Sequence, residues 1–262
     1  MTELLLAEEG PVLRATMNRP ERLNALSPGL IEALRELFVG LYWRRDIRVV
    51  VLEGAGRAFS AGLDLKGGTA LPDASVTEAL ASQRRISEIV IAMRRSPQPI
   101  VALVDGPAAG GGFALALASD IRIATPRTRM NAAFIRIGLS ACDIGVSYFL
   151  PRMVGASVAA DYMLTGRFMD AQTALRLGLV SEVVTPEEIR AAGDRFVGQM
   201  LAATPLGLRL TKDALNHAID MGSLEAVIAM EDRNQVLTAR DANFAEGVAA
   251  FLEKRPPRYR PD

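Results

Sequence analysis

Apolar positions along the chain change period several times, and each change marks an element. LLLAEE and VLRATM flank Gly10-Pro11 and predict two short strands around a turn. Ile31, Leu34, Leu37, Phe38 and Leu41 recur at helical spacing, with Ser27 placed to cap the helix and Pro28 at its first position. Val49 to Leu52 is apolar throughout and reads as a buried strand, as does QPIVALVDG; DIRIATP is a third. A long helix is expected from Val76 to Arg95, and a small-residue helix from about Gly111 to Ala118. Strand, helix, strand, helix, strand is the pattern of an α/β layer fold. After about residue 145 the segments turn helical, with apolar residues at i, i+3, i+4 and Gly or Pro separating many of them.

Length and composition narrow the picture. The chain has 262 residues, half of them hydrophobic, enough for one large domain or a core with an appendage. Lys plus Arg equals Asp plus Glu at 30 each, which argues against a broad basic surface for nucleic acid and favours self-association. With one cysteine, Cys142, and one histidine, His217, no disulfide forms within the chain and no Cys/His metal site is expected. Such usage suits a reducing cytoplasm. The first ten residues lack the basic region of a secretory signal. The apolar run Ile100 to Ala118 carries Asp105, Pro107 and four glycines, so it does not read as a membrane span.

Two strand-end loops carry the candidate chemistry. VVVLE runs into GAGRAFSAGLDL, and IVALV runs into DGPAAGGGFALA. A Gly-rich turn after a strand is by itself ordinary turn geometry. GAGRAF has Phe59 where a dinucleotide fingerprint needs its third glycine, and no Walker-type phosphate loop is present. Two such loops side by side, however, can each offer a backbone N–H to one ligand oxygen, because free N–H groups gather where helices begin. That arrangement is an oxyanion hole.

NRPERLNALSPGLIEAL, VVVLEGAGRAFSAGLDL, PIVALVDGPAAGGGFALALASDIRIA, MLTGRFMDAQTALRLGLVSEVV and EGVAAFLEKR stand in the order of the crotonase superfamily, the enoyl-CoA hydratase/isomerase family, which the chain resembles over nearly its whole length. The resemblance implies an α/β crotonase core of repeated ββα units over residues 1–200. It implies a helical region over 201–262 that serves trimerisation and closes the CoA pocket. It further implies a homotrimer or dimer of trimers and an acyl-CoA thioester as ligand, with coenzyme A arriving as part of the substrate rather than as a separate cofactor. It places the oxyanion hole at the backbone N–H groups of Ala61 and Gly111. Ligand contacts carry over to Gly62, Leu63, Asp64 and Gly110 beside them, and to Ala114 and Phe134. The cations for the nucleotide end are Arg22, Lys66 and Lys254.

Hydratases of this family use two glutamates about a water, and here the matching positions are Ala114 and Phe134. An ordinary hydration mechanism is therefore not expected. Asp143 is the one carboxylate between Asp120 and Asp161. It reads either as a helix cap or, as in the family's dienoyl-CoA isomerases and chlorobenzoyl-CoA dehalogenases, as a catalytic aspartate; the dehalogenases also match at Ser147 and Tyr148. Cys142 reads as a packed small residue, His217 as an ordinary helical residue, and Asp64 and Asp120 as structural. The expectation is an acyl-CoA enzyme that stabilises a thioester enolate, isomerase-like, with Asp143 carrying the proton. A catalytically silent acyl-CoA binder and a hydratase with a non-standard base are the alternatives.

Overall fold

In the computed structural model the described residues are 2–66 and 74–260. A six-stranded sheet forms the centre, built from β1 (Leu4–Glu9), β2 (Val12–Met17), β3 (Val49–Gly54), β4 (Ile100–Val104), β6 (Ile121–Ala124) and β9 (Glu182–Val183), in the order β1-β2-β3-β4-β6-β9. β1 pairs antiparallel with β2, with Leu4 opposite Met17, and all other neighbours are parallel. A second sheet of very short strands joins β5 (Pro107–Ala109), β7 (Arg129–Asn131) and β8 (Met169–Asp170). No period in the sequence marked it, because two or three residues are too few to show alternation.

The inner strands β3 and β4 are buried on both faces, which is why they read as unbroken apolar runs, whereas the edge strand β1 is largely exposed. Val50 and Leu52 of β3 point into the larger core with Ala102 and Val104 of β4. The intervening Val49, Val51, Val101 and Leu103 point the other way, into a smaller core covered by α7 (Ile189–Leu201). The larger core is covered by α1 (Pro28–Leu41), α2 (Val76–Arg95) and α3 (Gly111–Ala118). Of the predicted stripe on α1, Ile31, Leu34, Phe38 and Leu41 are buried together with Leu30, each side chain contributing on the order of 1.5–3 kcal/mol, while Leu37 is only partly buried. Ser27 Oγ accepts from Leu30 N–H at 3.1 Å, the predicted cap.

The rest of the chain is helical: α4 (Val146–Val154), α5 (Ala156–Thr165), α6 (Ala171–Arg176), then α7, α8 (Pro205–Ala218), α9 (Leu224–Ala239) and α10 (Ala242–Glu253). Two buried cations tie these layers together. Arg122 fills the C-terminal end of α3, donating to the carbonyls of Ala116, Ser119 and Leu179. Burial pushes its guanidinium down to about 10. Lys212 of α8 reaches under α2 to the carbonyls of Met93 and Gln98 and pairs with Asp120 at 3.0 Å. Asp120 also accepts from Ile100 N–H, so it has the structural role expected of it. Among the described residues no helix is long and apolar enough to cross a membrane, and no cluster of metal-ligating side chains occurs.

Candidate active site

The loops after β3 and β4 touch. Ser60 and Ala108 form a parallel bridge, in which Ser60 N–H donates to Pro107 O and Ala109 N–H donates to Ser60 O. The glycines explain how the backbones come so close. A Cβ at Gly112 would lie 2.3 Å from Ser60 O, and one at Gly62 would lie 2.5 Å from Ala109 O and 3.1 Å from Gly111 N. Gly62 (φ 86°) and Gly110 (φ 52°) also occupy the left-handed half of backbone space. Asn24, fully buried, braces the first loop by donating to the carbonyls of Ala55 and Ala58. Ser60 Oγ donates to Asn24 O at 2.8 Å and accepts from Gly62 N–H at 3.2 Å.

Hydrogen-bond directions then decide which amides are available. Ala61 N–H donates to Leu23 O at 2.9 Å. It is already used, which corrects the assignment of Ala61 as an oxyanion donor. Two residues on, Leu63 bridges Leu26: Leu26 N–H donates to Gly62 O at 2.7 Å and Asp64 N–H to Leu26 O at 3.1 Å. Successive N–H groups of an extended chain point to opposite sides, so the Leu63 N–H turns away from Leu26. Neither it nor the Gly111 N–H donates to any described residue. Gly111 is the first residue of α3, and no side chain caps that helix, so its amide lies at the positive end of the helix dipole.

These two amides border a cavity of about 140 Å³. Leu63, Leu65 and the glycines form one wall, and Gln83 and Ile86 of α2 another. Phe134 closes a third, its ring 3.4 Å from where a Cβ on Gly110 would sit. Ala114 is fully buried inside α3 and does not line the cavity, which corrects its assignment as a ligand contact. Asp64 is buried and paired with Arg19 at 2.9 Å, and its Oδ1 accepts from Lys66 N–H. It braces the loop rather than lining the cavity. Arg22, Lys66 and Lys254 are exposed and lie outside the lining.

Asp143 does line it, and among the lining residues described it is the one ionisable side chain. α4 is capped by Gly145 with no side-chain hydrogen bond, so the carboxylate is not the cap of that helix. Its Oδ1 accepts from its neighbour's amide, Ile144 N–H, at 2.8 Å and from Gln83 Nε2 at 2.5 Å. Oδ2 has no partner among the described residues. The turn that presents it is strained: Ile144, β-branched, has φ 34°, a region costing on the order of 1–3 kcal/mol for such a residue. Burial raises the pKa of Asp143 above the ordinary aspartate value, while the Ile144 and Gln83 bonds oppose the rise.

The neighbouring candidates go elsewhere. The Tyr148 hydroxyl donates to Asp220, and Arg152 stacks on the Tyr148 ring at 3.8 Å. Cys142 is exposed rather than packed. His217 is an exposed residue of α8, its Nδ1 2.8 Å from Asp213 O. Gln83 is the functional candidate that sequence reading missed, 60 residues from its partner and without a motif.

Comparison with known proteins places the family and the fold. The family profile described as enoyl-CoA hydratase/isomerase matches residues 7–261. The probable enoyl-CoA hydratase EchA12 of Mycobacterium tuberculosis is 40% identical over 256 residues, covering 96% of this chain and 90% of that protein. The 1,2-epoxyphenylacetyl-CoA isomerase of Escherichia coli is 33% identical over 261 residues, covering 99% of both. The crystal structure of an enoyl-CoA hydratase from Bacillus anthracis superposes with a TM-score of 0.92 at 29% identity, covering 98% of each chain. The fold is that of the crotonases. The chain belongs to the enoyl-CoA hydratase/isomerase family of acyl-CoA enzymes.

Proposed function

We propose that this enzyme moves the double bond of an unsaturated acyl-CoA, with Asp143 as the single proton carrier. The observation that carries the reading is Asp143 itself, among the described residues the one ionisable side chain lining a cavity that two uncommitted amides also border. The thioester oxygen accepts from Leu63 N–H and Gly111 N–H. Oδ2 of Asp143 takes a proton from the α-carbon of a 3-enoyl-CoA, and the C–H electron pair moves into the enolate held by the two amides. The same carboxyl returns the proton to the γ-carbon, and the double bond shifts from the 3,4 to the 2,3 position. No water enters and nothing is left over. One such amide donor is worth about 2.7–4 kcal/mol in the transition state. A base whose pKa is raised by burial is better matched to removing a weakly acidic proton. Hydration would require a second acid–base group about the substrate, and Ala114 and Phe134 supply none. One relative is named an isomerase, of an epoxyphenylacetyl-CoA, and isomerisation without added water is the class of reaction proposed here.

The nucleotide end of the ligand is assigned to the exposed cations Arg22, Lys66 and Lys254, outside the cavity. Exposed apolar side chains on the C-terminal helices, Leu224 and Phe251 among them, support assembly of copies into a trimer or dimer of trimers. The deciding experiment incubates purified protein with trans-2-, trans-3- and dienoyl-CoAs and separates products by mass and retention. A product of unchanged mass with a shifted double bond is expected. Addition of one water to a trans-2-enoyl-CoA would overturn the reading, and so would tight binding with no product across the panel.

A further inference from the structure

If Asp143 is the proton carrier, which of its two oxygens works is decided by its neighbours. A carboxylate on a short side chain can rotate, and either oxygen can then face the cavity. Here both hydrogen bonds converge on Oδ1, one from the rigid main chain at Ile144 and one from the Gln83 amide across the cavity mouth. We propose that Gln83 is a positioning residue for Asp143: its Nε2 pins Oδ1, so that Oδ2 is the oxygen presented to substrate. The proposal rests on the reading of Asp143 as proton carrier.

The placement of Gln83 supports it. α2 begins with a capping box, in which Ser75 Oγ accepts from Glu78 N–H and the Glu78 carboxylate accepts from Ser75 N–H. Farther along, Ile89, Val90 and Met93 are buried in the larger core. Gln83 lies between these two fixed ends and lines the cavity with Ile86, one turn on. Among the described lining residues no other charge competes for the carboxylate. The same cavity is lined by Leu63 and Leu65 from the loop after β3, by Phe134 and Ile137 from the segment before Gly138, and by Leu139 beyond it. None of these titrates. Among the described lining residues Gln83 is therefore the one side chain that donates a hydrogen bond to Asp143. A neutral amide suits the task. It orients the carboxylate and favours its charged form modestly, where an arginine would hold it ionised and weaken it as a base.

Gln83→Met keeps the length of the side chain and removes the donor. Two readouts follow, one needing no substrate. The Asp143 carboxyl carbon, titrated by NMR in the ligand-free protein, should move upward by about one pH unit, the worth of one hydrogen bond to a charged group. Turnover of trans-3-hexenoyl-CoA on the high-pH plateau should fall about tenfold with KM little changed, because the carboxylate is ionised but no longer held. Gln83→Asn, one methylene too short to reach, should behave like Met, and a methionine effect that asparagine does not share would overturn the proposal. So would a plateau within twofold of the native protein, or an unmoved titration. Asp143→Asn run in parallel separates the two ideas. Full turnover there removes the proton carrier and its positioning together. Lost turnover there, with native behaviour of Gln83→Met, overturns the positioning role alone.

Discussion

Two walls of one cavity are built in opposite ways. The wall at Leu63 and Gly111 is main chain. Its geometry comes from strand bridges, close backbone contacts and the start of a helix, and its groups are the same whatever side chains stand nearby. The wall at Asp143 and Gln83 is side chain, held by two hydrogen bonds and a strained turn. A main-chain wall can stabilise charge on an oxygen but cannot carry a proton. A side-chain wall can do so, and one substitution changes what it carries. Relatives of this chain carry hydratase and isomerase names, and under the proposed function the amides would hold the thioester while the opposing side chains select the reaction.

Removing the proton carrier is the sharpest way to break this comparison. Asp143→Asn should lower turnover by about 10²–10⁴-fold, the usual worth of a positioned base, with acyl-CoA binding retained by calorimetry. Native turnover would mean that the side-chain wall does not do the chemistry. The same variant should be more stable than the native protein above the raised pKa of Asp143. The folded state holds the Asp143 proton more tightly than the unfolded chain, so the native protein loses stability as pH rises through that interval, and asparagine does not. Thermal melts at acid and neutral pH measure the difference, which should vanish at acid pH.

The main-chain wall is tested at Gly111. Proline suits the first position of a helix and deletes the N–H, whereas alanine keeps it. Both substituents meet the flexible end of Leu26, so alanine is the steric control. Gly111→Pro should lose about 10²–10³-fold in kcat relative to Gly111→Ala. Equal rates in the two variants, with both folded by circular dichroism, would remove Gly111 from the oxyanion hole.

A smaller effect is expected from pH alone. The base must be ionised, so kcat/KM should fall with decreasing pH below the pKa of Asp143. Because burial raises that pKa, the acid limb should lie above the roughly 3.9 of a free aspartate. An acid limb at or below that value would show that another group titrates.

The helices Val76–Arg95 and Gly111–Ala118 were legible in the sequence, and so were the buried strands about Val50 and Ala102. Period, a proline at the start and a glycine boundary are local properties, and the chain carries them wherever it folds. The same locality made the glycine cluster and Asp143 stand out as candidates. The small second sheet was not legible, because strands of two or three residues are too short to show a repeated alternation. Cys142 was misjudged for a related reason: exposure depends on what packs above a residue, which no neighbour in sequence reports.

Sequence by itself determined the family, the two glycine loops and the lack of acids at Ala114 and Phe134. Tertiary structure decided the rest. Whether Ala61 or Leu63 has an amide to offer depends on which side of an extended segment Leu23 and Leu26 occupy, and those residues lie some 40 positions earlier. Whether Asp143 caps a helix or faces a cavity depends on a turn at Ile144 and on an amide 60 residues away. A hydrogen bond is a matter of direction as well as residue type, and direction is set only when distant parts of the chain meet.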